Sequence, residues 1–209
     1  SVLNRIQNLQ ARFGDNLGLS EAQSQSLHRQ ALKDFETLLA REQTPYDSRA
    51  RLLYEAARAS DIAGKKAASI DYLETLMAEH PESELVAESA FRVGEYRFSR
   101  NAHAQAVSAF SQAVEEARDS GFRERATYML GWSQLLDQRH DAASDTFIGF
   151  LDNHYNDSAG FAHLTGKARE QLEDSMRVLS LISAHAGGGE KLSQILARHG
   201  GRPYEGRLY

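Results

Sequence analysis

The chain contains no cysteine. Disulfides, thiolate metal sites and cysteine nucleophiles are therefore excluded together. Proline is scarce: Pro45, Pro81 and Pro203 are the three present in 209 residues. Long proline-free stretches suit helices, because an interior proline removes a hydrogen bond and clashes with the preceding turn. No apolar run approaches the roughly 20 residues that a membrane helix requires. A cationic excess is missing too. Lys and Arg number 24 against 29 Asp and Glu, for a net charge of −5, so phosphate neutralisation has little to offer and nucleic acid is a poor partner. The first residues, SVLNRIQNLQ, lack the apolar core of a signal peptide.

What is abundant is Ala, Leu, Glu, Arg and Gln, all good helix formers. Hydrophobic residues make up 41% and charged residues 25%, the balance of a folded chain and not a disordered one.

The sequence also repeats. Offset by 37 residues, Gly94 falls on Gly131, Ala106 on Ala143, Phe110 on Phe147 and Val93 on Leu130. A further shift of 37 brings in a weaker copy, with Ala57, Ser69, Leu73 and Leu76 under Gly94, Ala106, Phe110 and Ala113. No gap is needed. Each copy reads as two helices separated by a polar turn: Asp47–Asp61 and Lys65–His80, Leu85–Ser99 and Ala102–Arg118, Phe122–Leu136 and His140–Leu151. Gly94 and Gly131 stand mid-helix, where glycine costs about 1 kcal/mol relative to alanine. That placement predicts close approach of a neighbouring helix, with Ala106 and Ala143 as small partners and Phe110 and Phe147 filling the space between hairpins.

The V-G of Val93-Gly94, the L-G of Leu130-Gly131, the A-x3-F of Ala106 to Phe110 and of Ala143 to Phe147, and the closing Pro81 together resemble the tetratricopeptide (TPR) repeat family. Three features depart from its pattern. The aromatic after L-G is displaced or missing, the terminal proline is replaced by Arg118 and Tyr155, and the period is 37. The resemblance implies an all-α, TPR-like α-solenoid, a right-handed superhelix of antiparallel helix pairs. Three repeats are expected over 48–157, at about 48–84, 85–121 and 122–157. Residues 1–47 read as a degenerate N-terminal helical pair, 2–13 with 21–41. Residues 158–209 read as C-terminal helices: a long one over 161–186 ended by Gly187-Gly188-Gly189, a short one over 190–199, and a further one opening at Pro203. That last start makes the segment look like the truncated beginning of more repeats in a longer protein.

Such a resemblance implies a protein-interaction scaffold, not an enzyme, holding a peptide or protein on a concave face made by the first helices. The repeat register selects the candidates. Tyr54, Phe91 and Tyr128 form an aromatic column, while Arg58, Glu95 and Trp132 share another position, and Phe98 lies one turn on. Arg51 and Arg125 add charge. Together Tyr54, Arg58, Phe91, Glu95, Phe98, Arg125, Tyr128 and Trp132 would line one continuous groove, with aromatic anchors oriented by charges. The competing reading puts the aromatics between adjacent first helices or under the 161–186 helix. An alternative function is a self-associating module of an envelope complex, driven by an exposed apolar end around 203–209. The H-P-E-S and D-N-H-Y-N-D-S connections resemble bacterial cell-envelope repeat proteins, which implies a periplasmic or envelope setting, with the cytoplasm as the alternative.

Other motifs are weaker. The eight histidines are scattered without H-E-x-x-H spacing, and His103 and His140 read as solvated turn residues. G-F-A-H-L-T-G-K at 160–167 is one residue too long for a phosphate loop, and Ala168 stands where Ser or Thr is needed. The glycine triplet follows a helix and not a strand, so it is no dinucleotide loop. Glu115-Glu116 and Glu173-Asp174 are adjacent pairs that point to different sides of a helix. No cofactor or metal is expected.

Overall fold

A computed structural model describes residues 20–40, 45–155, 159–185 and 189–208. Among them are α1 (Glu21–Leu39), α2 (Tyr46–Ile62), α3 (Lys66–Glu79), α4 (Val86–Ser99), α5 (His103–Glu116), α6 (Ser120–Leu136), α7 (His140–His154), α8 (Gly166–His185) and α9 (Gly189–Arg198), followed by a single 3-10 turn, Glu205–Arg207. The expected helix over 2–13 lies outside the described residues. The chain divides into two units, Ser1–Tyr96 and Arg97–Tyr209, with the division inside α4.

The turn between the two helices of a hairpin recurs with the sequence period. Gly64, Asn101 and Gln138 each have a left-handed φ, of 80°, 59° and 61°. After each of them the chain turns back in the same way. The amides of Lys65, Ala102 and Arg139 bond the carbonyls of Ser60, Arg97 and Gln134 at 2.8–2.9 Å. Those of Gly64, Asn101 and Gln138 bond Asp61, Phe98 and Leu135. This pattern satisfies the last carbonyls of a helix and reverses the chain tightly. Helix starts are capped more variably. Ser20 and Gln23 form a reciprocal capping box on α1, and the Asp119 carboxylate accepts the Phe122 amide at 2.7 Å. The Asp119 cap starts α6 at Ser120, two residues before the start that apolar periodicity indicates.

In the first unit α1 packs on α2 and α2 on α3. Ala31, Leu32, Phe35 and Leu38 bury against Leu52, Ala56 and Ala59. Arg49 reaches out of α2 to the Leu39 carbonyl and to Glu79, at 3.0 and 2.7 Å. Its counterpart two periods on, Arg123, bonds the carbonyl of Ala117 in the second unit. An arginine in the first turn of a first helix thus caps the end of the helix before it.

In the second unit α5, α6, α7, α8 and α9 pack in succession. Ala143, Phe147, Ile148 and Leu151 of α7 meet Leu172, Met176, Val178, Leu179 and Ile182 of α8. Gly131 explains its own presence here. A Cβ on it would lie 2.9 Å from the Cε1 and Cζ atoms of Phe147, closer than real contacts allow. The partner of the glycine is therefore the bulky phenylalanine of its own hairpin, where the sequence suggested the small Ala143 as partner and Phe147 between hairpins. His154 bridges the same hairpin. It bonds the Phe150 carbonyl at 2.8 Å and Glu124 on α6 at 2.7 Å.

Three expectations for the C-terminal segment need correction. The long helix begins at Gly166, not Phe161, because Gly160 and Gly166 adopt φ of 57° and 54° and break the path between them. This leaves Phe161 free to drop into the core, where it meets Tyr155 and Tyr204 at 5.3 Å. Pro203 opens no α-helix; it leads into the 3-10 turn. Nor do the described residues of the expected apolar end, 203–208, present one, since Tyr204 and Leu208 are buried in the α7–α8 core.

Candidate functional site

The candidate residues fall in both units. In the first, the column position Tyr54 is 8% exposed and its ring is covered. The Arg92 guanidinium sits 5.6 Å from the ring centroid. Arg92 also donates two hydrogen bonds to Glu88 Oε1, at 3.1 and 2.9 Å. Burial, followed by a hydrogen bond to Glu88, pushes the Tyr54 phenol well above its usual range. Burial opposes ionisation of Glu88, but the bonds from Tyr54 and Arg92 outweigh it and hold the carboxyl below its ordinary value. Tyr54, Glu88 and Arg92 therefore form a closed polar triangle joining α2 to α4. Around it, Arg58 and Glu95 are exposed, Phe91 is half-buried, and Arg51 is exposed. Arg58 pairs with Glu55 at 3.4 Å.

Glu88 and Arg92 were absent from the sequence-based set, although a signal existed. Glu88 occupies the repeat position of Arg51 and Arg125, and Arg92 that of Glu55 and Met129. Charge reverses between successive copies in the first of these columns and between Glu55 and Arg92 in the second, and the ion pairs that form lie within single helices, Glu88 with Arg92 on α4 and Glu55 with Arg58 on α2.

In the second unit the aromatics dominate. Tyr128 lies 6.3 Å from Trp132, 6.4 Å from Phe147 and 5.6 Å from Phe150, and Trp132 lies 6.1 Å from Phe147. Most of these pairs are edge-on, the arrangement favoured by ring quadrupoles. The Tyr128 hydroxyl donates to Asp174 on α8 at 3.4 Å. Burial is the main reason its phenol is raised. Tyr128 and Trp132 are only partly buried and pack against the core that α7 and α8 share. One side of each ring thus meets this core and the other stays partly open. Arg125 is exposed beside Phe122, 5.4 Å from its ring centroid. Phe98 is half-buried and meets the His103 ring edge-on at 5.5 Å. His103 is consequently no solvated turn residue: it is half-buried, with Nδ1 covered and unbonded, whereas His140 at the equivalent position is exposed.

Among the described residues no group of three or more His, Asp or Glu side chains is placed to hold a metal ion. No described helix is long and apolar enough to cross a membrane.

Solved structures share this architecture. A kinesin-light-chain-type protein of Podosopora anserina with nearly identical TPR-like repeats superposes with a TM-score of 0.58 at 16% identity, over 94% of this chain and 92% of that one. A substituted form of that protein matches over the same shares at 15% identity. BtubC (BKLC) of P. vanneervenii superposes with a TM-score of 0.57 at 17% identity, over 99% of this chain and 79% of its own. The fold is therefore that of TPR-like helical repeats. No protein-family model matches the sequence, and no curated protein does.

Proposed function

We propose that the chain is a protein-interaction scaffold that holds a peptide or protein partner on its first helices and carries out no chemistry of its own. Its repeat units are taken as 48–84, 85–121 and 122–157. The carrying observation is the state of Trp132 and Tyr128. Each ring is braced by Phe147 or Phe150, and each keeps part of its surface open. A braced, half-open aromatic loses little side-chain entropy on binding, the property expected of an interface anchor. Exposed Arg125 supplies charge beside it. In the first unit, Arg58, Phe91 and Glu95 offer the same mixture around the Tyr54 triangle, and Tyr54 itself serves as support. The polar, charged surroundings favour a partner segment that carries charge of both signs.

The test uses tagged full-length chain to capture partners from its native source, with cross-linking. Wild type should retain a specific protein, and Arg58→Glu with Arg125→Glu should lose it at unchanged thermal stability. Undiminished capture by that variant would overturn the assignment of these positions. The setting we propose, the bacterial cell envelope, rests on the polar connections between hairpins. Fractionation of the native source tests it independently, and a purely cytoplasmic pool would remove it.

A further inference from the structure

Two tyrosines of the aromatic column sit in the same kind of corner. In the first unit the Tyr54 hydroxyl on α2 donates to Glu88 on α4. Arg92, one turn further along α4, fills that corner. It pairs with Glu88 at 2.9 Å and holds its guanidinium 5.6 Å from the centre of the Tyr54 ring. A carboxylate beside an aromatic face is a matched seat for a guanidinium, which gains ion pairing from one and cation–π attraction from the other.

The second unit repeats the corner and leaves it open. Tyr128 on α6 donates to Asp174 Oδ2 on α8 at 3.4 Å. The arginine that follows on α8 is Arg177, three residues on from its carboxylate where Arg92 is four. It reaches Asp174 Oδ1 at 2.9 Å, but its side chain is 69% exposed against 36% for Arg92. Among the described residues no guanidinium lies over the Tyr128 ring. Trp132 stands edge-on beside that ring at 6.3 Å, with part of its own surface open. Arg125, one turn before Tyr128, lies over the Phe122 ring instead.

We propose that the corner of Tyr128, Trp132 and Asp174 binds the guanidinium of an arginine on the protein partner, in the place that Arg92 takes at Tyr54. This rests on the scaffold reading and gives that reading a ligand chemistry. Two features make the corner receptive. The rings are already braced by Phe147 and Phe150, so little ordering remains to be done on binding. Arg177 holds the carboxylate in the free chain through an exposed pair, a kind that contributes little and is screened by salt. An incoming guanidinium that gains the rings as well as the carboxylate therefore displaces it.

Trp132 is the single tryptophan, so its indole N–H resonance reports on this corner in the full-length chain. At low salt the chain is titrated with the capped tripeptide Gly-Arg-Gly. Parallel titrations use Gly-citrulline-Gly, which keeps the shape and loses the charge, and Gly-Glu-Gly. The arginine peptide should shift the resonance saturably at millimolar concentration, and the other two should not. Arg177→Ala removes the internal competitor and should tighten binding of the arginine peptide about two- to fivefold. Asp174→Asn should weaken it at least about tenfold. Should Asp174→Asn lose helix content, the wild-type and Arg177→Ala titrations decide. The proposal is overturned by no shift with the arginine peptide, by an equal shift with the citrulline peptide, or by binding that Arg177→Ala leaves unchanged or weakens. A response to the glutamate peptide in place of the arginine peptide also overturns it, and assigns the corner to an acidic partner. No captured partner enters these titrations, so their failure leaves the scaffold reading standing, and the capture experiment tests that reading separately.

Discussion

The first hairpin of the repeat region and the third share a plan but not a chemistry. In the first, Ala57 and Leu73 hold the positions that Gly131 and Phe147 hold in the third. All four are buried. Where the second helix offers a leucine, the first helix carries an alanine; where it offers a phenylalanine, the first helix gives up its Cβ. The same division runs through the surroundings. The first unit ties its helices with polar links, Tyr54–Glu88–Arg92, Arg49–Glu79 and Tyr72–Glu36. Burial, together with the last of these, pushes the Tyr72 phenol up to about 12. The second unit has polar links too, such as His154–Glu124, but adds two clusters of rings, Tyr128 and Trp132 with Phe147 and Phe150, and Phe161 with Tyr155 and Tyr204. Repeat proteins conserve a geometry of stacking between copies, and different side chains can supply it.

The largest effect should come from removing the ring that defines the third hairpin. Phe147→Ala is expected to cost about 3–5 kcal/mol in chemical denaturation, since the side chain is fully buried. Gly131→Ala gains about 1 kcal/mol of helix propensity but drives a Cβ into that ring, so a net loss of about 1–2 kcal/mol is expected. Adding Phe147→Leu to Gly131→Ala rebuilds the Ala57–Leu73 pair and should recover part of that loss, a favourable coupling of about 1 kcal/mol in a double-mutant cycle. Strict additivity would break the comparison. Trp132→Ala should lower stability by about 1–3 kcal/mol, because the ring braces Phe147 as well as facing solvent.

The polar triangle of the first unit predicts a pH signature. The Glu88 pKa is depressed below 4.5, so its contribution is complete above that pH and fades as pH falls through the lower, folded value. The Tyr54 pKa is raised above 10.0, so its contribution is complete below that pH and fades as pH climbs through the folded value. Glu88→Gln should flatten the acid limb of a stability-against-pH curve and Tyr54→Phe the alkaline limb. The smallest effect concerns the turns. Gln138 adopts the left-handed conformation that Gly64 adopts freely. Gln138→Gly should therefore stabilise by about 0.5–1 kcal/mol, and a loss would mean that the glutamine side chain holds the turn.

Much of the fold was legible from the 37-residue register, because glycine, alanine and phenylalanine at fixed spacing encode helix contact directly. The turn residues were legible as polar breaks, but their shared left-handed geometry was hidden by three different identities, Gly64, Asn101 and Gln138. The Asp119 cap was missed because apolar periodicity starts only at Phe122. Phe161 was misassigned to a helix because an apolar stripe does not distinguish a helical residue from one in a turn dropped into the core, and Tyr204 because Pro203 suits the approach to a 3-10 turn as well as the first turn of an α-helix. For the candidate site, the column rule found the aromatics of α6. It could not show that Tyr54 is covered, because its cover, Arg92, comes from the next copy.

Amide hydrogen exchange on the full-length chain, with and without a captured partner, tests the scaffold reading most directly. The account predicts added protection and side-chain-dependent binding at the first helices, over 46–62 and 120–136, with the second helices 66–79 and 140–154 little changed. Protection confined to the second helices, or none at the first, would contradict it.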